Sequence, residues 1–111
     1  MNVDPTKIQL ADAAKQLKDR AELKVGEVEE MNVYLTAYLG EYPAHKHPKD
    51  EFFYVIQGQL ELELAGDRVL LREGDCIPVK KGTVHKPSAK SRTLVLKVEP
   101  REFPFEMTGS Q

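Results

Sequence analysis

The sequence predicts one all-β domain, either a sandwich or a barrel. Three observations point to this fold class. Apolar and polar residues alternate over several short segments, which is the period of a half-buried strand. Turn-forming residues separate these segments about every eight to twelve residues, as in sandwiches and barrels. The chain has 111 residues, of which 41% are hydrophobic, and this is enough for a single domain with its own core.

The first element is expected to be a short helix. Residues 7–17 place apolar side chains near helical spacing. Asp4 can act as the cap and Pro5 as the first helical residue, a combination that favours a helix start. A strand followed by one turn is the alternative for this segment.

A strand is predicted at residues 33–39. Tyr34, Thr36 and Tyr38 share one face, and four aliphatic residues share the other. The pattern leaves open which face points into the domain, because the tyrosine face is the less apolar of the two. If the tyrosine face points inward, Tyr34 and Tyr38 line the interior.

The next strand, at residues 52–56, is apolar on both faces. Phe53 and Val55 share the inward parity of Glu51. The opposite face needs a cover, which either the N-terminal segment or a second subunit can supply. We therefore expect a homodimer that uses this face. Its outward residues are Phe52, Tyr54 and Ile56.

The remaining strands are short and separated by tight turns. Leu60, Leu62 and Leu64 alternate with glutamates, and a hairpin turn at residues 65–67 sends the chain back. Cys76 is interpreted as a small buried hydrophobic residue. The other predicted strands are residues 68–71, 76–79 and 93–98.

Composition argues against several classes of function. A net charge of −2 argues against general nucleic-acid binding, which needs a strongly basic domain. No apolar run approaches the roughly 20 residues that span a bilayer, and the first residues lack the apolar core of a signal peptide. The single cysteine cannot form an internal disulfide, so the fold does not depend on an oxidising compartment. Together these features lead us to expect a cytoplasmic protein that does not bind membranes.

Basic residues concentrate late in the chain. From Lys80 to Arg101 there are seven basic residues and one acidic residue. One interpretation is a solvated basic face, or a face that meets an acidic partner surface. The other is a basic rim that attracts an anionic small molecule, with Lys80 and Lys81 as its candidate contacts.

The three histidines of the chain all lie beside predicted turns. His45 and His47 are two residues apart, so a strand directs both imidazoles to one side. Glu51 follows a proline-containing turn and can aim its carboxylate at the same point. Two imidazoles and a carboxylate suit a divalent transition metal, although two hydrogen-bonded surface histidines would give the same His-x-His pattern. His85, which also lies between a turn and a strand, weakens that second interpretation.

Two segments resemble the two sequence motifs of the cupin superfamily. The counterparts of the first motif are Gly40, His45, His47, Glu51 and Gly58, with a spacer after Gly40 that is one residue short. The counterparts of the second motif are Gly74, Gly82 and His85. Lys80 stands where the family has a proline, and Ala89 stands where it has an asparagine. Neither position holds a metal ligand in the family.

The resemblance implies a double-stranded β-helix, the jelly-roll barrel of cupins, over residues 30–100. Residues 1–29 are then an N-terminal strand or helix that packs on the barrel or on a partner, and residues 101–111 are a C-terminal tail. The chain is similar to small single-domain bacterial cupins that are labelled as similar to mannose-6-phosphate isomerase. In the cupin pattern one divalent ion, Mn, Fe, Ni, Co or Zn, is bound by His45, His47, Glu51 and His85.

Cupins include dioxygenases, isomerases and proteins without catalysis, so the fold alone does not decide the function. We expect a metal-dependent enzyme, of the dioxygenase or isomerase type, that acts on a small oxygenated or anionic organic molecule. Glu51 is the candidate base. A metal-containing binding or sensor protein without turnover is the first alternative, and a barrel without metal is the second. The candidate substrate contacts are Tyr34, Tyr38, Phe53, Lys80 and Lys81.

Overall fold

The computed structural model describes residues 7–102 and 106–107 of the chain. Its elements run in the order α1 (Leu10–Lys15), β1 (Glu22–Val28), β2 (Met31–Glu41), β3 (His45–Lys46), β4 (Glu51–Gln57), β5 (Gln59–Leu64), β6 (Asp67–Arg72), β7 (Cys76–Val79), β8 (His85–Pro100) and β9 (Glu106–Met107). The predicted all-β fold class is confirmed. Among the described residues there is no helix with the length and apolarity that a membrane crossing requires.

Strand β8 holds the sheet together, because it is antiparallel to four other strands. Its first residues pair with β3 and β5, and its later residues pair with β4. Strand β2 pairs with β8 from Met31 to Glu41, with one irregularity near Gly40. Strand β1 pairs with β2, β7 with β4, and β6 with β5. The expected strand at 93–98 is thus only the second half of a longer one, because the inward residues of the first half are His85, Pro87 and Ala89 rather than large apolar residues.

Both faces of β2 are buried, which the alternation in the sequence could not decide. The tyrosine face points into the barrel, where Tyr38 packs in the same cluster as Phe53 and Val55. The aliphatic face, with Leu35 and Ala37, packs against the N-terminal helix. The cluster inside the barrel consists of Tyr38, Phe53, Val55, Leu60, Leu62, Leu71, Val79, Ala89 and Val95.

Helix α1 is shorter than expected and is held by an arginine of the sheet. The side chain of Gln9 accepts a hydrogen bond from the backbone of Asp12 and caps the helix start. Arg92 donates to the carbonyl oxygens of Ala14 and Leu17, each at 2.7 Å, which satisfies the end of the helix. The predicted start at Asp4 and Pro5, and most of the predicted tail, lie outside the described residues.

The outer face of β4 is only partly covered. Ile56 packs against the cluster beneath α1, while Phe52 and Tyr54 remain 37% and 38% exposed. The interpretation of Cys76 as a buried residue is wrong, since it is exposed on β7 opposite Tyr54. Paired residues of neighbouring strands project from the same face of a sheet, so Cys76 lies with the exposed Tyr54 on the outer face.

Candidate metal centre

Two strands, β3 and β8, bring the histidines of the chain to one place inside the barrel. His45 on β3 lies directly opposite His85 at the start of β8, with ring centroids 4.2 Å apart. His47 follows β3, and its ring centroid is 4.9 Å from that of His45 and 5.3 Å from that of His85. One nitrogen from each of these rings lies within 4.8 Å of the other two, so the three can bind one metal ion.

Glu51, the first residue of β4, reaches the same cluster. Its Oε1 atom lies 2.9 Å from Nε2 of His85 and 3.5 Å from Nε2 of His47. Oε1 of Glu51 and Nε2 of His85 are buried, and their close contact lacks normal hydrogen-bond geometry, so both atoms are without a hydrogen-bond partner. Buried polar atoms rarely stay unpaired. An ion between them would satisfy both atoms, and the donor set of three imidazoles and one carboxylate suits a divalent transition metal.

Backbone carbonyls orient two of the imidazoles. Nδ1 of His45 is 3.0 Å from the carbonyl oxygen of Pro43, and Nδ1 of His85 is 3.0 Å from that of Thr83. We assign the proton of each ring to Nδ1 from these contacts, since a carbonyl oxygen can only accept. The lone pair of each Nε2 then faces the cluster, which is the arrangement that metal-binding histidines adopt.

The protonation states also suit a metal. Burial lowers the pKa of His45, which favours the neutral imidazole that a metal requires. Burial raises the pKa of Glu51, but the contact with His85 and the charge of Lys97 more than offset this effect. The net pKa of Glu51 is therefore below its usual range, and the group is a carboxylate at neutral pH.

The two loops that carry the histidines are tied together. Asp50 accepts hydrogen bonds from the Lys81 backbone at 2.8 Å and from Nζ of Lys80 at 3.0 Å. The backbone of Gly82 donates to the carbonyl oxygen of His47 at 2.8 Å. These contacts fix the loop before Glu51 against the loop before His85. Lys80 and Lys81 are both exposed on this loop, so their expected contact with an anion stays a prediction.

The three predicted aromatic contacts all lie on the inner side of the sheet. The Phe53 ring is 6.3 Å from the His85 ring and the same distance from the Tyr38 ring, measured between centroids. The hydroxyl of Tyr34 accepts a hydrogen bond from the amide of Asn32 at 3.1 Å. Tyr38 and Phe53 therefore form an apolar wall beside the histidines, and Tyr34 belongs to a more polar part of the interior.

The sequence interpretation missed two charged residues of that interior. Lys97 and Glu99 follow Val95 on β8 with the same inward parity. Nζ of Lys97 lies 3.3 Å from Oε1 of Glu22, and its side chain is only 12% exposed. Burial raises the pKa of Glu99 to about 7, and the negative charge of Glu51 acts in the same direction. The alternation of this strand gave no signal for them, because Leu94, Leu96 and Val98 make the opposite face the more apolar one.

A separate surface groove of about 1000 Å³ lies along the outer side of β5 and β6. Both acidic and basic residues line it, and it contains none of the three histidines and neither Glu51 nor Lys97. We place the candidate centre at the histidines, because the convergence of ligand atoms and the unpaired buried atoms occur there.

The segment that carries these ligands matches a known protein family. The family described as "Cupin domain" matches residues 38–98, a range that contains all four predicted ligands. The chain belongs to the cupin family. A curated relative, the uncharacterized protein YdbB of Bacillus subtilis (strain 168), is 34% identical over 92 residues, which are 80% of this chain and 81% of that protein.

Solved structures share the cupin fold. A cupin-2 domain-containing protein from Shewanella frigidimarina has a TM-score of 0.81 and 27% identity, over 85% of this chain and 94% of that chain. Hydroquinone 1,2-dioxygenase PnpCD, in complex with Cd²⁺ and 4-hydroxybenzonitrile, has a TM-score of 0.73 and 16% identity, over 92% of this chain and 82% of that chain. At that identity the second likeness concerns the fold alone. The predicted double-stranded β-helix is confirmed.

Proposed function

We propose that this cupin binds one divalent transition-metal ion through His45, His47, Glu51 and His85, and that it is a metal-dependent enzyme acting on a small oxygenated or anionic molecule. The observation that carries the proposal is the convergence of three imidazoles and one carboxylate, with two buried atoms unpaired. Each such unpaired buried polar atom lowers the stability of the fold by about 1–3 kcal/mol, so stability alone does not explain their presence.

The donor set restricts the metal. Four protein ligands leave one or two positions open on a five- or six-coordinate ion, which Mn, Fe, Co and Ni accept, whereas Zn prefers four ligands. When bound, the ion supplies a Lewis acid and an open position for an oxygen atom of the substrate. Glu51 acts as the fourth ligand or, if it leaves the metal, as a base. Tyr38 and Phe53 keep water from one side of the centre.

The reaction is proposed to be an oxygenation, with an isomerisation as the alternative. A cupin-fold protein named as a hydroquinone dioxygenase supports the oxygenase type, although it shares only the fold with this chain. The isomerase type depends on the sequence resemblance to mannose-6-phosphate isomerase-like cupins. Either reaction requires the metal, and a non-catalytic binding or sensor cupin uses the same ligands without turnover.

Protein purified without a histidine tag is expected to contain close to one equivalent of a divalent ion by elemental analysis. We expect oxygen uptake with a diketone, a catechol or a flavonol that disappears on chelation and returns with the metal. Metal-dependent conversion of a sugar phosphate without oxygen uptake would favour the isomerase instead. Bound metal without turnover on either panel would indicate the binding or sensor protein, and absence of metal would contradict the proposal.

We also propose a cytoplasmic homodimer that uses the outer face of β4. Phe52 and Tyr54 are exposed aromatic residues on one face of the same strand, and a second subunit packed there would cover both. Light scattering is expected to give a dimer mass for the wild type and a monomer mass for Phe52→Lys. Leu70→Lys, which changes an exposed apolar residue on β6, is the control and should leave the dimer intact. A monomer mass for the wild type would exclude this interface.

A further inference from the structure

Lys97 places a buried positive charge in the interior that also holds the candidate metal ligands. It lies opposite Tyr34 of β2 on one side and opposite Phe53 of β4 on the other. Phe53 is two residues after Glu51 in the sequence. Burial lowers the pKa of Lys97, but its interactions with Tyr38, Glu22 and other acidic groups outweigh this effect and raise the pKa overall. The side chain is therefore a cation at neutral pH, and a buried cation needs an anionic partner.

Glu22 is the acidic residue in direct ion-pair contact with Lys97, while Glu99 and Glu51 act on it as further negative charges. The position of Glu22 allows it to be replaced. Its carboxylate lies 3.3 Å from Nζ of Lys97, but its side chain is 42% exposed. Glu22 is the first residue of β1, an edge strand that pairs only with β2 among the described strands. The Glu22 side chain can therefore turn to solvent, whereas Lys97 between β2 and β4 cannot.

An unpaired hydroxyl group lies beside this ion pair. Thr36 is opposite Glu22 in the pairing of β1 with β2, and opposite Val95 in the pairing of β2 with β8. It is 6% exposed, and its Oγ1 atom has no hydrogen-bond partner. Buried hydroxyl groups are normally hydrogen-bonded, so this atom points to a missing polar ligand.

We propose that the substrate carries a carboxylate that binds to the Lys97 ammonium and the Thr36 hydroxyl, and that it displaces Glu22. This inference rests on the proposed function, because it names the substrate class of the same site. The carboxylate of Glu22 occupies the place that we assign to the carboxylate of the substrate. The ammonium and the hydroxyl both donate to an anionic oxygen, and the metal is left free for another oxygen of the same molecule.

Malonate is the probe, and neutral malonamide is its matched control, titrated calorimetrically at constant ionic strength into metal-loaded and metal-free protein. We expect the wild type to bind malonate more tightly than malonamide. Lys97→Met should weaken malonate binding by about tenfold to a hundredfold, since a buried charge-assisted contact is lost. Glu22→Gln should strengthen it, because the competing carboxylate is gone. Lys24→Met, which changes an exposed cation of the same β1 strand, should bind malonate like the wild type.

The opposite signs of the two variants separate ligand binding from a structural ion pair. Equal malonate affinity in the wild type and in folded Lys97→Met would overturn the inference. So would Glu22→Gln that binds no more tightly than the wild type, which decides the question even if Lys97→Met does not fold. Elemental analysis of each sample keeps the two proposals apart. If the wild type binds no metal, the proposed function fails, while the titration of metal-free protein still decides the role of Lys97.

Discussion

The His47→Ala variant is expected to lose most of the bound divalent ion. His47 is buried within the cluster of three histidines, and its removal leaves two imidazoles and one carboxylate. Residues that only orient a ligand already cost about 10- to 100-fold in metal affinity when they are changed. We expect the loss of a direct ligand to exceed that range.

The measurement is the metal content of tag-free protein after dialysis, together with a titration of the metal-free form. Lys49→Ala is the control, because Lys49 is exposed in the same loop and should leave the metal content unchanged. Circular dichroism must show that the His47→Ala protein is folded. Equal metal in the wild type and in folded His47→Ala would place the ion elsewhere.

The candidate metal centre was largely predictable because its residues follow local rules. Two histidines two residues apart on a strand share a face, and Glu51 begins the adjacent strand after a short turn. Only His85 needed more than local reasoning, since it is distant in sequence and was placed by the second cupin motif. The structure brings all four residues together, and their binding of a metal stays a prediction.

The buried charges of the interior were not predictable in the same way. Lys97 lies in an alternating strand, where a charged residue ordinarily points to solvent. It is buried because β2 and β4 flank β8 on its two sides, and that arrangement depends on pairings between distant segments. The face of β2 that points inward was undecidable for a similar reason, since helix α1 covers the other face.

The glycine that closes the first cupin motif has a physical role that a substitution can measure. Gly58 adopts a φ of +94°, and a Cβ atom added there would lie 2.6 Å from Oγ1 of Thr93. Thr93 cannot easily move, because it is fully buried and its hydroxyl accepts from the backbone of Gln59 and donates to the carbonyl of the same residue. Alanine at position 58 therefore combines an unfavourable backbone conformation with a steric clash.

Gly66 separates these two effects. It has a φ of +92° in the turn between β5 and β6, and no atom lies within 4 Å of an added Cβ. We expect Gly66→Ala to lower the free energy of unfolding by about 1–2 kcal/mol, the cost of a left-handed conformation for alanine. For Gly58→Ala the clash adds about 1–3 kcal/mol, as overpacking in a dense core does.

Urea unfolding of both variants, beside the wild type, measures the difference. The midpoint should fall furthest for Gly58→Ala, with an unchanged dependence on urea concentration if the unfolded states are alike.

A second substitution, Thr93→Ser, keeps the hydroxyl and its bonds to Gln59, so it should not relieve the destabilisation caused by Gly58→Ala. Thr93→Ala removes the Oγ1 atom but leaves the Arg92 carbonyl oxygen and the Thr93 Cα atom, each 3.0 Å from the added Cβ. The double variant should therefore lose less than the sum of the two single variants, while part of the clash stays. Equal losses at Gly58 and Gly66 would show that the conformation of the turn, and not the approach of Thr93, requires the glycine.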